Sequence, residues 1–383
     1  MSRDARLRFS AAGAENAKLE NLLGGHSNAG QVSDPTDRYV ALPTAAAPRL
    51  LVPLGAPKAS ARIILGSGPQ DRRLSRLKRG ALARAAALGL LSFVPGRRLE
   101  VGGRPATRLV SELRRRLGWV ATIGIHLGTP RPNQKPVLAL LDEDARIRGF
   151  AKVGWDEATD DLVGNEALAL SSLVPRSPLV VPNLLDDFRF NGSRIVVQSA
   201  VPVGRSGRHL MSDEGMSSVV RAIAGSCERH ELGASTYAAG VLARCRSSVH
   251  LSEQTRRDIV DLIRRAGGQS LAMGAWHGDL TPWNCSLLGD GISVWDWERW
   301  SPHVPLGLDV LHYHLRLRQA ATDPVPALDH ARISAGGTLL LIGVPEDEHR
   351  LIQRFHAIEL VLRFSGSSSM EGLVGSLAAT IRG

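Results

Sequence analysis

The stretch at residues 276–284, WHGDLTPWN, constrains this chain more than any other part of its sequence. Gly278 and Pro282 both disfavour a regular helix, so the pattern predicts a loop. The loop offers the carboxylate of Asp279 and, further along, the amide of Asn284. Polar groups of this kind on an irregular segment indicate a functional loop that a rigid scaffold positions.

A β-hairpin is predicted directly after this loop. Residues 285–288 and 292–295 are short apolar runs on either side of an Asp-Gly turn, which is a typical hairpin pattern. The returning strand brings Asp296 back beside the loop. We therefore expect Asp279, Asn284 and Asp296 to meet at one site.

These three side chains suit phosphoryl transfer. Such a reaction needs a carboxylate that orients the attacking hydroxyl and accepts its proton, which is the expected catalytic role of Asp279. It also needs oxygen ligands for Mg²⁺, which Asn284 and Asp296 supply. The alternative interpretation is a polar turn with a structural aspartate, because short motifs also occur by chance.

The segments His277–Asn284 and Asp296–Glu298 resemble the aminoglycoside phosphotransferase and choline kinase-like family of small-molecule kinases. This resemblance covers roughly residues 115–365 and implies an α+β, two-lobed, protein-kinase-like fold. The N-lobe would be an antiparallel sheet and the C-lobe mostly helical. The implied activity is the transfer of the γ-phosphate of ATP, or of GTP, to a hydroxyl of a small molecule with Mg²⁺ as cofactor.

The resemblance also implies a nucleotide site. Lys152 lies within an apolar strand pattern, where a lysine is seldom buried unless it is paired, and Glu166 on the following helix is the expected partner. By resemblance, this pair grips the α- and β-phosphates, while the backbone of Gln198, Ser199, Ala200 and Val201 lines the adenine pocket. Asn133 is a further candidate, in a connection that lies over the phosphates in kinases. A plain exposed hairpin is an equally good interpretation of that connection.

Four regions are predicted. They are a mobile tail with a short helix near 14–23 (1–37), a small α/β cap (38–104), a kinase-like N-lobe (105–203) and a helical C-lobe with the acceptor pocket (204–383). In the cap we predict strands at 39–42, 50–53 and 61–65 and a helix at 70–91. Predicted helices in the C-lobe are 212 to about 231, 252–265, 310–317 and 346–364.

The sequence allows more than one role for each of two further residues, His277 and Asp309. His277 is expected to lie beneath the loop, bonded to its backbone, although a second base or a metal ligand is an alternative. Asp309 is predicted either to brace the loop or to cap a helix. The segment after Asp296 is too short for the peptide-binding platform of a protein kinase, so a peptide substrate is not expected.

The net charge of +10 is uneven, since residues 1–120 contain 21 Lys and Arg against 8 Asp and Glu. The expected explanation is a solvated, arginine-rich surface on this basic front, residues 1–120. The alternative is that the front binds a polyanion, although a nucleic-acid partner is not expected. Three widely spaced cysteines and a start without an apolar core predict a soluble, cytoplasmic protein with no membrane partner.

The carboxylates of the C-terminal part are mostly scattered, whereas a polycationic aminoglycoside would call for clustered ones. A neutral, sugar-like or otherwise hydroxylated acceptor is therefore favoured over an aminoglycoside, and amino alcohols remain open. The rival function is a catalytically silent, kinase-like nucleotide-binding protein that uses the basic front to bind a polyanion. The presence of Lys152, Glu166, Asp279, Asn284 and Asp296 together argues against silence.

Overall fold

The computed structural model describes residues 38–44, 48–66, 73–93, 98–100, 109–128, 133–206, 212–319, 324–366 and 370–382. Their strands are β1 Arg38–Pro43, β2 Pro48–Pro53, β3 Arg98–Glu100, β4 Thr122–His126, β5 Val137–Leu141, β6 Ile147–Gly154, β7 Leu179–Val180, β8 Leu184–Phe190, β9 Ser193–Ser199, β10 Arg205–Ser206, β11 Glu228–Glu231, β12 Ser270–Trp276, β13 Cys285–Leu287, β14 Ile292–Val294 and β15 Ser301–Pro305.

Their α-helices are α1 Pro57–Gly66, α2 Arg73–Ala87, α3 Leu109–Leu117, α4 Glu157–Ser172, α5 Asp213–Ala224, α6 Thr236–Ser247, α7 Glu253–Ala266, α8 Leu308–Gln319, α9 Pro324–Leu341, α10 Glu346–Phe364 and α11 Glu371–Arg382. The chain divides into two compact units. We call residues 1–171 with 182–200 the sheet unit, and residues 172–181 with 201–383 the helical unit. The predicted tail at 1–37 lies outside the described residues.

The sheet unit is built on one antiparallel sheet with the strand order β3-β1-β2-β4-β5-β6-β9-β8. Alternate residues of its strands belong to two different hydrophobic clusters. In β5, for example, Leu138 and Leu140 join one cluster, and Ala139 and Leu141 join the other. Since successive side chains of a strand point to opposite faces, both faces of this sheet are buried.

The predicted cap at 38–104 is continuous with this sheet. The predicted strands at 39–42 and 50–53 are confirmed as β1 and β2, and β2 pairs directly with β4. The strands of the predicted cap thus extend the sheet of the next region, and the boundary of the cap at residue 104 stays a prediction. The two helices α1 and α2 cover the face formed by alternate residues such as Val40 and Ala139.

The predicted strand at 61–65 is wrong, because these residues belong to α1. Ala59, Ser60, Ile63 and Ile64 are its buried residues, at the spacing of one helix face. A short apolar run by itself does not distinguish a strand from a helix. Gly124 of β4 permits the close approach of α1, since a Cβ there would lie 2.5 Å from Cδ1 of Ile63.

The strands β8 and β9 form a hairpin that closes at an Asn-Gly turn. Asn191 and Gly192 both have positive φ angles, of 47° and 85°, which a tight primed turn requires. Asn191 is a residue type that tolerates this conformation, and Gly192 has no Cβ to clash. The turn aligns β9 with β6, and β6 carries Lys152.

Serine side chains cap the starts of α5, α6 and α7 in the helical unit. The hydroxyl of Ser212 accepts a hydrogen bond from the N–H of Gly215, and that of Ser252 accepts one from the N–H of Thr255. The helix predicted from 212 to about 231 ends earlier, at Ala224, because Gly225 adopts a φ of 71°. The helix predicted at 346–364 is confirmed as α10.

Two small sheets in this unit carry the segments of interest. One has the order β10-β13-β14-β7 and contains the predicted hairpin, and the other has the order β11-β12-β15. The loop at 276–284 connects β12 of the second sheet to β13 of the first. Among the described residues, no helix has both the length and the apolar character needed to cross a membrane.

Candidate active site

The loop at 276–284 and the hairpin after it bring Asp279 into contact with Asn284 and return the chain to Asn284 at Trp295, one residue before Asp296. The N–H of Trp295 donates to the carbonyl of Asn284 at 3.0 Å, and Cys285 pairs with Val294. Asp296 follows Trp295 directly and has a φ of 73°. Such a conformation is uncommon for a residue with a side chain and often marks a functional position.

Asp279 lies at the centre of a set of hydrogen bonds. The amide nitrogen of Asn284 is 3.2 Å from its Oδ2 and 3.0 Å from its backbone carbonyl. Nε2 of His312 lies 3.0 Å from its Oδ1, and Nη1 of Arg363 lies 3.1 Å from the same oxygen. The carboxylate is 24% exposed, so it stays accessible to a small molecule while three side chains fix its orientation.

These donors keep Asp279 ionised. Burial opposes its ionisation, but the hydrogen bond from His312 and the positive charge of Arg363 outweigh burial and hold the pKa of Asp279 well below its usual range. Burial lowers the pKa of His312 to about 4, so at neutral pH its imidazole is uncharged and donates Nε2–H. Burial also lowers the pKa of Arg363, to about 10, which leaves its guanidinium positively charged.

The loop itself is braced from below. Both oxygens of Asp309 accept backbone hydrogen bonds, one from the N–H of His277 at 2.7 Å and one from that of Gly278 at 3.0 Å. The predicted bracing role of Asp309 is therefore confirmed. His277 is fully buried and bonds backbone as predicted, since Nε2 lies 3.0 Å from the carbonyl of Trp295 and Nδ1 accepts from the N–H of Asp279.

The sheet unit contains the predicted lysine and glutamate pair. Nζ of Lys152 lies 2.6 Å from Oε1 of Glu166, and the two side chains are 7% and 0% exposed. Lys152 lies on β6 and Glu166 on α4. A buried ion pair of this kind is weak evidence for stability but fixes the direction of both side chains.

The other residues predicted to bind the nucleotide are Asn133 and residues 198–201. Asn133 is exposed and has a φ of 61°, and residues 129–132 before it lie outside the described residues. Gln198 is buried in β9. The N–H groups of Ser199 and Ala200 donate to the backbone carbonyls of Asn183 and Arg148, so neither N–H is available to a ligand.

Sequence reasoning missed His312 and Arg363. Both belong to helices that carry polar side chains at a helical spacing. On α8 these are Asp309, His312 and Arg316, and on α10 they are His356, Glu359 and Arg363. Spacings of three and four residues place each set on one face. That period was present in the sequence, but nothing in it indicated which face meets the loop.

The orientation of the Asn284 amide fits that of a magnesium ligand. Because the amide nitrogen of Asn284 donates to Asp279, the amide oxygen lies on the other side of the group, as a metal ligand requires. Mg²⁺ is usually bound by one or two carboxylates together with phosphate oxygens and water. Among the described residues there is no group of three or more His, Cys, Asp or Glu side chains that could hold a metal, so an all-protein cage is not present there.

The sequence matches no protein-family model and no curated protein. Solved structures resemble its fold. A thermostable mutant of aminoglycoside phosphotransferase APH(4)-Ia, in ternary complex with AMP-PNP and hygromycin B, matches with a TM-score of 0.50 and 12% identity, over 72% of this chain and 98% of that one.

Two other structures match with lower scores. The amicoumacin kinase hAmiN, in complex with AMP-PNP, Ca²⁺ and Ami, has a TM-score of 0.46 and 11% identity over 67% of this chain and 87% of that one. A putative fructosamine-3-kinase from Haemophilus somnus 129PT has a TM-score of 0.45 and 13% identity over 70% and 95%. The match to the APH(4)-Ia structure shows that this chain has the same α+β, kinase-like fold.

Proposed function

We propose that the protein is an ATP- and Mg²⁺-dependent kinase of a small hydroxylated molecule. The observation that carries this proposal is the state of Asp279, an ionised and partly exposed carboxylate whose orientation His312, Arg363 and Asn284 fix. A kinase needs such a group beside the acceptor hydroxyl. The fold supports the proposal, because small-molecule kinases use it.

Asp279 acts mainly by orientation. Because its pKa is low, it is a weak base, and its carboxylate accepts a hydrogen bond from the acceptor hydroxyl rather than removing the proton early. The hydroxyl oxygen forms a bond to the γ-phosphorus while the bond from that phosphorus to the β–γ bridging oxygen breaks, and ADP leaves. The hydroxyl proton passes to Asp279 and then to solvent. Positioning and charge neutralisation supply most of the acceleration.

Asn284 and Asp296 hold the magnesium ion in this proposal. The ion neutralises charge on the β- and γ-phosphates, which is the chemistry it supplies when bound. Glu166 holds Lys152 in place, and Lys152 would neutralise charge on the α- and β-phosphates of ATP or GTP. Cys227, Cys245 and Cys285 are free thiols, which supports a reducing, cytoplasmic location.

The rival function, a silent nucleotide-binding protein with a polyanion-binding front, has less support. A silent protein has no need of an ionised carboxylate with three donors, nor of a loop that Asp309 braces. Aminoglycosides are among the candidate acceptors because the comparison structure of APH(4)-Ia contains hygromycin B. Sugars, polyols and amino alcohols are the other candidate classes.

The test compares Asp279→Asn with the wild type. Asparagine keeps the size of the side chain and one acceptor oxygen, so Arg363 and His312 retain a partner and the fold survives. We expect ADP release with pooled acceptors to fall by at least about 100-fold. Calorimetry should show unchanged binding of Mg²⁺ and a non-hydrolysable ATP analogue.

Asp290→Asn is the matched control, because Asp290 lies exposed on the turn of the same hairpin. It should leave both measurements unchanged. Full acceptor-dependent turnover by the Asp279→Asn variant would refute the catalytic assignment. Absence of nucleotide binding by the wild type would refute the kinase function itself.

A further inference from the structure

The loop at 276–284 presents two side chains to solvent. Seven of its nine residues are buried, Asp279 is partly exposed, and 44% of Trp283 is exposed. Pro282 before the tryptophan and Asn284 after it are both buried, so the backbone does not lift away from the fold at this point. The indole of Trp283 is therefore the one large apolar surface that this loop offers to a small molecule beside Asp279.

This exposure is unusual for a tryptophan of this chain. All seven tryptophans lie within the described residues, and the other six are buried or partly buried. An indole is a large, rigid and mostly apolar surface that contributes strongly to binding wherever a partner covers it. Trp283 thus has the physical properties of a ligand contact, and its position on the loop indicates which ligand it would meet.

Helix α8 shows how the indole lies relative to the candidate catalytic group. Nε2 of His312 lies 3.0 Å from Oδ1 of Asp279. The guanidinium of Arg316 lies over the ring of Trp283, 5.0 Å from its centroid. His312 and Arg316 are four residues apart, which places them on one face of the helix, about 6 Å apart along its axis. The carboxylate and the indole therefore lie against neighbouring turns of one helix face, a spacing on the scale of a six-membered ring.

Arg316 holds the indole and is not itself offered to a ligand. A guanidinium over an aromatic ring is attracted by the electrons of that ring, so this contact helps to fix the plane of the indole. Arg316 is engaged in other interactions as well. Since its guanidinium covers only part of the ring, the exposed part of Trp283 is left for a second flat surface.

The charges around the loop balance and do not select an anionic or a cationic acceptor. Three positive and three negative side chains belong to the loop, to the segment after the hairpin and to helices α8 and α10. They are Arg299, Arg316 and Arg363, and Asp279, Asp296 and Glu298. Arg363 already bonds Asp279. Asp296, Glu298 and Arg316 are also engaged in interactions. An acceptor with several charges would meet both signs, which disfavours it relative to a neutral one.

We propose that the acceptor is a neutral cyclic sugar, whose ring stacks on Trp283 while Asp279 orients one of its hydroxyls. This inference rests on the proposed kinase function and names its substrate class. Trp283 is then the specificity-determining residue of the acceptor site. It selects for a rigid ring with an apolar face and against open-chain alcohols, which have no such face.

A sugar ring matches these surroundings better than an aromatic alcohol does. One face of a pyranose consists largely of C–H bonds and packs on an indole, whereas the hydroxyls at its rim reach polar side chains. An aromatic alcohol has two apolar faces, and only one of them would be covered by Trp283. The side chains that contact Asp279, which are those of Asn284, His312 and Arg363, are all polar.

The first experiment measures binding to the full chain in the presence of Mg²⁺ and a non-hydrolysable ATP analogue. Neutral pyranoses and their methyl pyranosides are compared with the open-chain alditols of the same sugars, which have similar hydroxyls but no rigid ring face. Aromatic alcohols and aminoglycosides form two further pools at equal ionic strength. Acrylamide quenching of tryptophan fluorescence reports contact with Trp283, because it is the exposed tryptophan.

We expect the cyclic sugars to reduce the quenching of the wild type, with the alditols at least about tenfold weaker in affinity. With ATP in place of the analogue, the same sugars should cause ADP release. Trp283→Leu keeps an apolar side chain but removes the flat ring, so KM for the sugar should rise about tenfold. KM for ATP should stay unchanged. Trp283→Phe keeps a ring and should retain most of the sugar affinity.

Ile333→Ala is the matched control, because Ile333 is an exposed apolar residue on α9 of the same unit. It should leave KM unchanged for both the sugar and ATP. If Trp283→Leu does not fold, the preference of the wild type for cyclic over open-chain sugars, together with the protection of its exposed indole, still decides the matter.

Several results would overturn the inference. They are equal binding of cyclic sugars and alditols, stronger binding of the aromatic alcohols or the aminoglycosides, and no binding from any pool. An unchanged KM for the sugar in the Trp283→Leu variant would also overturn it. So would sugar binding that leaves the quenching of the wild type unchanged.

The inference and the proposed kinase function fail in different ways. Protection of Trp283 by cyclic sugars without ADP release from any pool would refute the kinase function but uphold the sugar site. ADP release with open-chain, aromatic or cationic acceptors alone would refute the sugar site but uphold the kinase function.

Discussion

Arg363 donates to Oδ1 of Asp279 at 3.1 Å, although the two residues lie 84 positions apart in the sequence. The arginine side chain is 11% exposed and the aspartate side chain 24% exposed. A charge pair at this depth keeps the carboxylate ionised and in one orientation. The orientation of the candidate catalytic group is therefore set by helix α10 as much as by its own loop.

Replacing Arg363 by methionine should move the acid limb of the kcat profile to higher pH. Without the guanidinium the pKa of Asp279 rises, so the carboxylate becomes protonated, and kcat falls, at a higher pH than in the wild type. The free energy of unfolding at pH 7 should fall by about 2 kcal/mol, less than for a fully buried pair because water reaches Asp279. A pH series of ADP release and urea denaturation measure the two effects.

The exposed Arg350 on the same helix supplies the control, and Arg350→Gln should change stability by no more than about 0.5 kcal/mol. An acid limb that stays in place in the Arg363→Met variant would show that Arg363 does not hold the charge of Asp279.

His312 makes the folded state sensitive to acid. Its pKa is lowered by burial from 6.5 to about 4, so as pH falls through 6.5 the unfolded chain takes up a proton that the folded chain does not. Stability is therefore lost between pH 6.5 and 4, and the loss stops below the folded pKa. This histidine should lower the free energy of unfolding by about 2 kcal/mol between pH 7 and pH 5.

His312→Gln should reduce the loss of unfolding free energy between pH 7 and pH 5, whereas His303→Gln, at an exposed position, should not. His126 and His356, whose pKa values burial also lowers, should keep some of the acid sensitivity in both variants. Urea denaturation at the two pH values measures it. An unchanged pH dependence in the His312→Gln variant would show that this imidazole is not held neutral.

Asp309 should affect activity through the loop. Asp309→Ala leaves the N–H groups of His277 and Gly278 buried without their acceptor, which should cost about 2–4 kcal/mol of unfolding free energy and most of the turnover. Asp309→Asn keeps one acceptor oxygen and should retain more of the stability and of the turnover than Asp309→Ala does. Equal stability of the two variants in thermal unfolding would contradict the bracing role.

Variants of Lys152 and Glu166 can separate their contribution to stability from their contribution to nucleotide binding. Lys152→Met leaves a buried carboxylate without its cation and should cost about 3 kcal/mol of stability, as well as at least tenfold in nucleotide affinity. The double variant Lys152→Met with Glu166→Met replaces the pair by apolar groups of similar volume. It should recover the stability but not the affinity.

Denaturation measures the free energy of unfolding, and calorimetry measures the nucleotide affinity. Lys58→Met, on the exposed side of α1, is the control. If the double variant also recovers nucleotide affinity, Lys152 does not contact the nucleotide and serves only the fold.

Local patterns explain where the sequence-based predictions succeeded. The Asp-Gly turn predicted the hairpin of β13 and β14, because such a signal acts within a few residues. The run at 61–65 misled, because its helical character depends on Ile63 packing against Gly124. The helix expected to reach 231 was too long, since Gly225 stops it.

By itself, the sequence determined the loop at 276–284, the hairpin that returns Asp296, and the pairing of Lys152 with Glu166. Only the tertiary structure decided what surrounds Asp279, because His312 and Arg363 come from distant helices whose packing chooses the face that meets the loop. A carboxylate in a motif has a chemical type, but its charge state and accessibility depend on neighbours that the chain supplies only when it folds.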